Sequence, residues 1–379
     1  MSVEIRLYLY NPRFYLWIMS VWKSPAQWYN PIRHLLHNQG SQIAKMAGVS
    51  RATVERVINN RGDVSEDTRK LVLEIIKKTD YRPNRAGKTL AIQQKNLKIG
   101  CIIIHADNPF YQELNKGIID KAAEFKSYGI QVIIEQVEFD VQKQLEKIDE
   151  LISQQINALV IQPIAEPALA HKLNEIERLN IPIVTVNTDL PDFTSSFCYV
   201  GNDFYLCGKT AANFLNIATQ GHCNIGVITG FSKAKSHADR IEGFRDYIQN
   251  FSGMNIVAVA ENRDDEMESY YITKTMLLEH PEIDSVFLVA GGVHGAGTAI
   301  KKTSQETHRS FKVISFDDVP TTRDLVRDGT ILATICQQPV RQGRLAMSVL
   351  FDYLIDGIVP ENKKIFTDIQ IKLRANIDT

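Results

Sequence analysis

Apolar positions along the chain follow two different rhythms. The first begins near Ser41. Ile43, Ala44 and Ala47 predict a short helix over 43–47, ended by Gly48. Val54, Val57 and Ile58 recur at i, i+3 and i+4, which predicts a second helix over 51–58 capped by Ser50. Asn59-Asn60-Arg61-Gly62 breaks it. Leu71, Val72, Ile75 and Ile76 give a third helix its apolar face. Ser65 caps that helix, and Glu66 and Asp67 lie in the first turn, where unpaired backbone N–H groups favour anions. Tyr81-Arg82-Pro83-Asn84 stops it, and Arg85 to Gln94 has the pattern of one more short helix before the linker Gln93-Gln94-Lys95-Asn96.

From Lys98 the apolar runs become short and continuous. Lys98–Ile104, Ile130–Glu135, Ala158–Gln162 and Ile181–Val186 read as buried strands, separated by helical patterns. The series restarts at His222–Thr229 and continues through Asn255–Ala260, Ser285–Ala290, Phe311–Phe316 and Ile331–Cys336. Strands alternating with helices of this length predict parallel βαβ units, and two consecutive runs predict two doubly wound lobes. The fold class expected is a small all-α head followed by an α/β body of two parallel-sheet lobes. The expected organisation is an extension over 1–40, a head over 41–84, a hinge or linker over 85–97 and a two-lobed body over 98–379. In doubly wound sheets ligands bind outside the carboxyl ends of the strands, so a cleft between the lobes would collect residues that follow strands.

Residues 1–40 fit neither rhythm. They hold all three tryptophans, Trp17, Trp22 and Trp28, and the apolar stretch Phe14–Trp22 is about half the length that a membrane span needs. Pro12 interrupts the basic start that a signal peptide would use, and no small-residue cleavage site follows. The expectation is a disordered extension, or residues not native to the fold, and no membrane association.

Charge changes the picture more than composition does. With 44% apolar and 23% charged residues the chain is globular, and its net charge of −1 suggests no nucleic-acid partner. Between Ser41 and Lys98, however, thirteen Lys and Arg stand against six Asp and Glu, so a basic head precedes an acidic body. The five cysteines, Cys101, Cys198, Cys207, Cys223 and Cys336, are widely spaced; they read as small buried residues of a reducing compartment, not as a metal or redox site.

In the second predicted helix Arg51, Ala52, Glu55 and Arg56 remain on the outer face. A helix that presents its N-terminal residues to base edges is how a helix-turn-helix reads the major groove, and arginine can donate a fork of hydrogen bonds to guanine. Ser50, Thr53, Asn59, Ser65 and Thr68 fall at helix starts and turns, where hydroxyls and backbone N–H groups meet phosphates.

Ile43-Ala44-Lys45-Met46-Ala47-Gly48-Val49-Ser50-Arg51-Ala52-Thr53-Val54, followed by Arg56-Val57-Ile58-Asn59, closely resembles the head of the lactose-repressor (LacI/GalR) family. Val64-Ser65, Thr68-Arg69 and Tyr81-Arg82-Pro83-Asn84 continue the match. The resemblance implies that Arg51, Ala52 and Arg56 read bases and that Leu90 is the hinge leucine wedged into the minor groove. Two positions depart from the family pattern: Glu55 stands where a serine is usual, and Gln39-Gly40-Ser41-Gln42 replaces the threonine-hydrophobe-x-aspartate entry to the first helix.

The body from Lys98 onward resembles the family's sensor and the ribose-type periplasmic binding proteins. By that resemblance Asn108, Phe110 and Tyr111 form a sugar-contacting turn, Asn187 and Thr188 a hydroxyl-binding position, and Arg240, Asp317 and Gln337 further ligand contacts. Taken singly, Asp317 could cap the next helix, Asn187 could be a turn residue and Arg240 could make a surface ion pair; all of them follow strands, where the cleft is expected. Amides, carboxylates and a guanidinium suit a polyol, whose hydroxyls both donate and accept. Gly291-Gly292 departs from the family, which carries an asparagine after the Ser285–Ala290 strand.

The function implied is a cytoplasmic ligand-responsive repressor, binding a near-palindromic operator in double-stranded DNA as a homodimer and sensing a sugar or polyol. The C-terminal strand-like run Ile365–Leu373 offers no heptad pattern for a tetramer. The rival class, an extracytoplasmic sugar-binding protein of a transporter, has no use for a helix-turn-helix. No nucleophile–base pair, metal spacing or Walker motif points to an enzyme, so no catalytic residue, metal or cofactor is expected.

Overall fold

A computed structural model describes residues 39–58, 64–79, 93, 95–105, 108–190, 197–231 and 234–378. The chain divides into two units, Met1–Lys88 and Thr89–Thr379. Asn59, Leu90 and most of the expected 1–40 and 85–97 segments lie outside the described residues.

In the first unit three helices, α1 (Gln39–Ala47), α2 (Arg51–Ile58) and α3 (Glu66–Thr79), close on one small core. Ile43, Ala44, Ala47, Val54, Val57, Val72 and Ile75 are its buried members. The pattern from Ile43 alone understated α1, whose backbone begins at Gln39 and includes the segment that departs from the family entry. Ser50 Oγ accepts the Thr53 backbone N–H at 3.0 Å, and Ser65 Oγ that of Thr68 at 3.4 Å. Both expected caps are therefore made.

The second unit carries two six-stranded sheets. The first, in the order β11-β5-β4-β3-β1-β2, contains β1 (Lys98–Ile104), β2 (Gln131–Val137), β3 (Ala158–Ile161), β4 (Ile183–Val186), β5 (Cys198–Gly201) and β11 (Lys364–Phe366). The second, in the order β12-β10-β9-β8-β6-β7, contains β6 (Cys223–Thr229), β7 (Met254–Glu261), β8 (Ser285–Leu288), β9 (Lys312–Phe316), β10 (Ala333–Cys336) and β12 (Gln370–Lys372). Every pairing is parallel except β10 with β12. The inner strands β3, β4, β5, β8 and β10 are buried along their whole length, as parallel strands covered by helices on both faces must be.

Helices α4 (Pro109–Phe125), α5 (Val141–Ser153), α6 (Pro167–Glu177) and α12 (Pro339–Asp356) cover the first sheet. Helices α7 (Phe204–Thr219), α8 (Lys235–Ile248), α9 (Glu266–Glu279), α10 (Val293–Thr307) and α11 (Pro320–Arg327) cover the second. The chain crosses between lobes three times: after β5, after β10, and between β11 and β12. The run Ile365–Leu373 is thus not one strand. It contributes a parallel edge to lobe 1, crosses at Thr367, and contributes an antiparallel edge to lobe 2.

Candidate functional site

In the head, Arg51, Ala52 and Arg56 are exposed on α2, while Val54 and Val57 on the opposite face are 1% and 4% exposed. Thr53 and Thr68 are half-buried beside their capping serines. The amphipathic spacing alone produces this: α2 is anchored by its valines and offers its first turn outward.

In the body, the expected ligand residues follow a strand or open the next helix, except Arg240, which was expected at a strand end and lies instead in the second turn of α8. Asn108 comes after β1 and caps α4, its Oδ1 accepting the Phe110 N–H at 2.9 Å. Phe110 is buried in the lobe 1 core, and its ring meets Tyr111 edge to face, centroids 5.6 Å apart. Asn187 follows β4 in the left-handed backbone region, φ 66°, and its carbonyl accepts from Tyr199 Oη. A left-handed conformation in a non-glycine residue is strained and held only by its surroundings.

Arg240 lies on α8, 5% exposed. It is not in a surface ion pair. Its guanidinium stacks over the rings of Phe316 and Phe204, at 4.1 and 5.0 Å, and Nη1 donates to the Val289 carbonyl at 2.7 Å. The close crossing of α7 and α8 brings it there: a Cβ on Gly208 would stand 1.9 Å from the Arg240 carbonyl oxygen. Asp317 follows β9 with φ 65°, and the N-cap position of α11 is Val319, with no side-chain cap, so Asp317 is not the helix cap. Its Oδ1 accepts from Gln337 Nε2 at 2.7 Å. Burial pushes the Asp317 carboxyl above its usual range, against the charge of Arg240 and the bond from Gln337.

These residues do not all share one cavity. Phe110, Asp317 and Gln337 line a space of about 770 Å³ together with Arg323, Arg341 and Arg344. Thr188 lines another of about 220 Å³ with Tyr199, Phe204 and Asp239. Across the lobes, burial pushes the Tyr111 hydroxyl up to about 12; the charges of Asp264 and Asp317 add to this and Arg240 opposes it. Tyr111 of lobe 1 and the three charged residues of lobe 2 thus sit within one another's fields.

Two buried atoms in this group lack a partner among the described residues: Arg240 Nε and Gln337 Oε1. One is a donor and the other an acceptor, and a buried polar atom left unpaired costs free energy unless something else fills the role. Asp264 was missed by sequence reasoning. It follows β7 as the others follow their strands, and that placement was the available signal. Among the described residues no group of three or more His, Cys, Asp or Glu side chains could hold a metal, and no helix is long and apolar enough to cross a membrane.

A helical head with an outward-facing reading helix, and a two-lobed α/β body with polar residues at its strand ends, define a DNA-binding regulator with a ligand-binding sensor. Residues 41–84 match the bacterial regulatory proteins of the lacI family, and residues 99–357 match the periplasmic binding protein domain. The chain belongs to the lacI family, with a body of the periplasmic-binding-protein type. Among its relatives, the ribose operon repressor of Halalkalibacterium halodurans is 28% identical over 304 residues, 79% of this chain and 84% of that one. Catabolite control protein A of Priestia megaterium is 26% identical over 320 residues, 82% and 91% of the two chains. In fold, the body resembles GanP, a glucose-galactose binding protein from Geobacillus stearothermophilus, with a TM-score of 0.67 at 24% identity, covering 75% of this chain and 99% of that one.

Proposed function

We propose that this protein is a cytoplasmic transcriptional repressor that binds a near-palindromic operator as a homodimer and responds to a small sugar or polyol held between its lobes. One head per chain covers one half-site, so two-fold symmetry supplies the second. Arg51, Ala52 and Arg56 read base edges. Ser50, Thr53, Asn59, Ser65 and Thr68 position the head on phosphates, and Leu90 enters the minor groove. The body binds its effector through Asn108, Phe110, Tyr111, Asn187, Thr188, Arg240, Asp317 and Gln337.

The observation that carries the effector reading is the pair of buried, unpartnered atoms, Arg240 Nε and Gln337 Oε1, beside the Asp317 carboxylate. A polyol hydroxyl accepts from the first and donates to the second. The similarity to the ribose operon repressor supports the same class of ligand. Operator and effector affinities must change each other by the same factor if the two sites are coupled.

The test is a thermal-shift screen of monosaccharides and polyols on the full chain, followed by a gel shift with the gene's own upstream region. A ligand that binds only the folded state raises its stability. A hit should also change operator affinity. No hit among sugars and polyols, or no retention of the upstream DNA, would refute the corresponding half of the proposal.

A further inference from the structure

Asp264 stands where the lobe 2 sheet reverses its winding. In the order β12-β10-β9-β8-β6-β7, strand β6 has β7 on one side and β8 on the other. The crevice outside the carboxyl ends of such strands is where an open parallel sheet receives ligands. Asn262-Arg263-Asp264 turns out of β7, with Arg263 and Asp264 both in the left-handed region at φ 51° and 60°. Asp264 Oδ1 accepts the Gly291 N–H at 2.9 Å. A Cβ at position 230 would meet that oxygen at 2.2 Å and one at 291 would meet it at 3.0 Å. The carboxylate therefore lodges between the ends of β6 and β8 because both positions are glycine.

Helix capping does not explain it. The cap of α9 is Asp265, whose side chain accepts the Glu268 N–H at 2.7 Å. Asp264 forms no ion pair among the described residues; the residue reaches solvent, yet partial burial of its carboxyl raises it above its usual range, against the Gly291 N–H and the charge of Arg240. Its neighbours do not balance it. Asp318 is matched by Arg323 and Lys372, which leaves Arg240 as the one cation facing both Asp264 and Asp317 among the described residues. His237, whose field also meets Arg240, is held neutral by burial near neutral pH. Asp264 and Asp317 share that one guanidinium, so the Asp264 carboxylate has no cation of its own. The buried, unpartnered Arg240 Nε and Gln337 Oε1 independently point to a polar ligand at the same place.

We propose that Asp264 selects a polyol carrying a protonated amino group, an amino sugar or aminocyclitol, with the ammonium on the Asp264 carboxylate and the hydroxyls on Arg240 and Gln337. This rests on the interlobe cleft being the effector site. A neutral hydroxyl can donate to Asp264 but leaves its charge unmatched; an ammonium does both, and charge-assisted bonds are the stronger kind.

The experiment is calorimetric titration of the full chain, wild type and Asp264→Asn, with matched probes: glucosamine, galactosamine and mannosamine against glucose, galactose and mannose, and an aminocyclitol against myo-inositol. Asparagine keeps an Oδ1 for the Gly291 N–H, so the fold is retained while the charge goes. In the wild type at least one amine should bind about tenfold more tightly than its parent, and the preference should fall to about twofold or less in Asp264→Asn. Parents that bind as tightly as their amines overturn the proposal, as does a preference that survives the substitution. If the variant failed to fold, the wild-type comparison alone would decide. Binding by neutral probes only would remove the amine and leave the cleft reading standing. Binding by none of either class would remove both.

Discussion

Gln342 Nε2 donates to Asn202 Oδ1 at 2.6 Å, joining the first and second crossings between the lobes over a separation of 140 residues. The same nitrogen donates to the Gln337 carbonyl at 2.7 Å, and Asn202 Nδ2 donates to the Thr367 carbonyl on the third crossing at 3.3 Å. Asn202 and Gln342 are 2% and 0% exposed. The hinge of the body is thus one buried amide network, which fixes how the strand ends of the two lobes meet.

Gln342→Leu removes both donations, leaving the buried Asn202 Oδ1 without its donor and the Gln337 carbonyl with one fewer. We expect a loss of about 1–3 kcal/mol in stability, the cost of an unsatisfied buried polar group. Urea unfolding of the full chain checks this; an unchanged midpoint would show that the network carries no net stability.

Asp317→Asn should stabilise the ligand-free protein and abolish effector binding. Burial raises the folded-state carboxyl above its unfolded value, so the folded chain binds the proton more readily and ionisation costs stability once the pH passes the folded value. The variant should therefore melt higher than wild type near neutral pH, the difference closing as the pH falls through the carboxylate range. Melting curves across pH test the sign, and titration with the effector tests the loss of binding.

His237 works in the opposite sense. Burial, and then the charge of Arg240, lower its imidazole from 6.5 to about 4, while Nδ1 accepts the Phe231 N–H at 3.1 Å. Between those values the unfolded chain holds a proton that the folded chain does not, so stability falls as pH drops from 6.5 toward about 4. His237→Asn, which keeps an acceptor for Phe231, should flatten the slope in that window. A pH profile of the denaturant midpoint with unchanged slope would contradict this.

Arg56→Ala should weaken operator binding by about 1–3 kcal/mol and relax base preference at the contacted position, since one bidentate base contact is lost. Gel shifts against a set of single-base operator variants measure both. Equal affinity and equal selectivity would remove Arg56 from the reading face.

All five cysteines are buried thiols. Burial raises Cys198 to about 11 and Cys207 to about 12, and pushes Cys101 and Cys336 higher still. The thiolate is the reactive form, so a chromogenic thiol reagent near neutral pH should label none in the folded protein and all five after unfolding.

The sequence by itself determined what repeats locally. The period of Val54 and Val57, the capping serines 50 and 65, and the continuous apolar runs of β1, β3 and β4 each encode their element through contacts within a few residues, so the head and the two lobes were legible before any coordinate. The positions of Asn187, Asp317 and Gln337 after strands were legible for the same reason: strand ends are local. Tertiary structure decided what is non-local. Ile365–Leu373 reads as one strand, and only the need of two separate sheets for an edge divides it between β11 and β12. Arg240 reads as readily as a surface cation as a buried one; the glycine-mediated contact of α7 with α8, and the rings of Phe204 and Phe316, bury it. Asp264 gives no periodic or capping signal. Its place beside the ends of β6 and β8 follows from β6 lying between β7 and β8, an order set by right-handed crossovers packing helices on both faces and written in no single stretch of the chain.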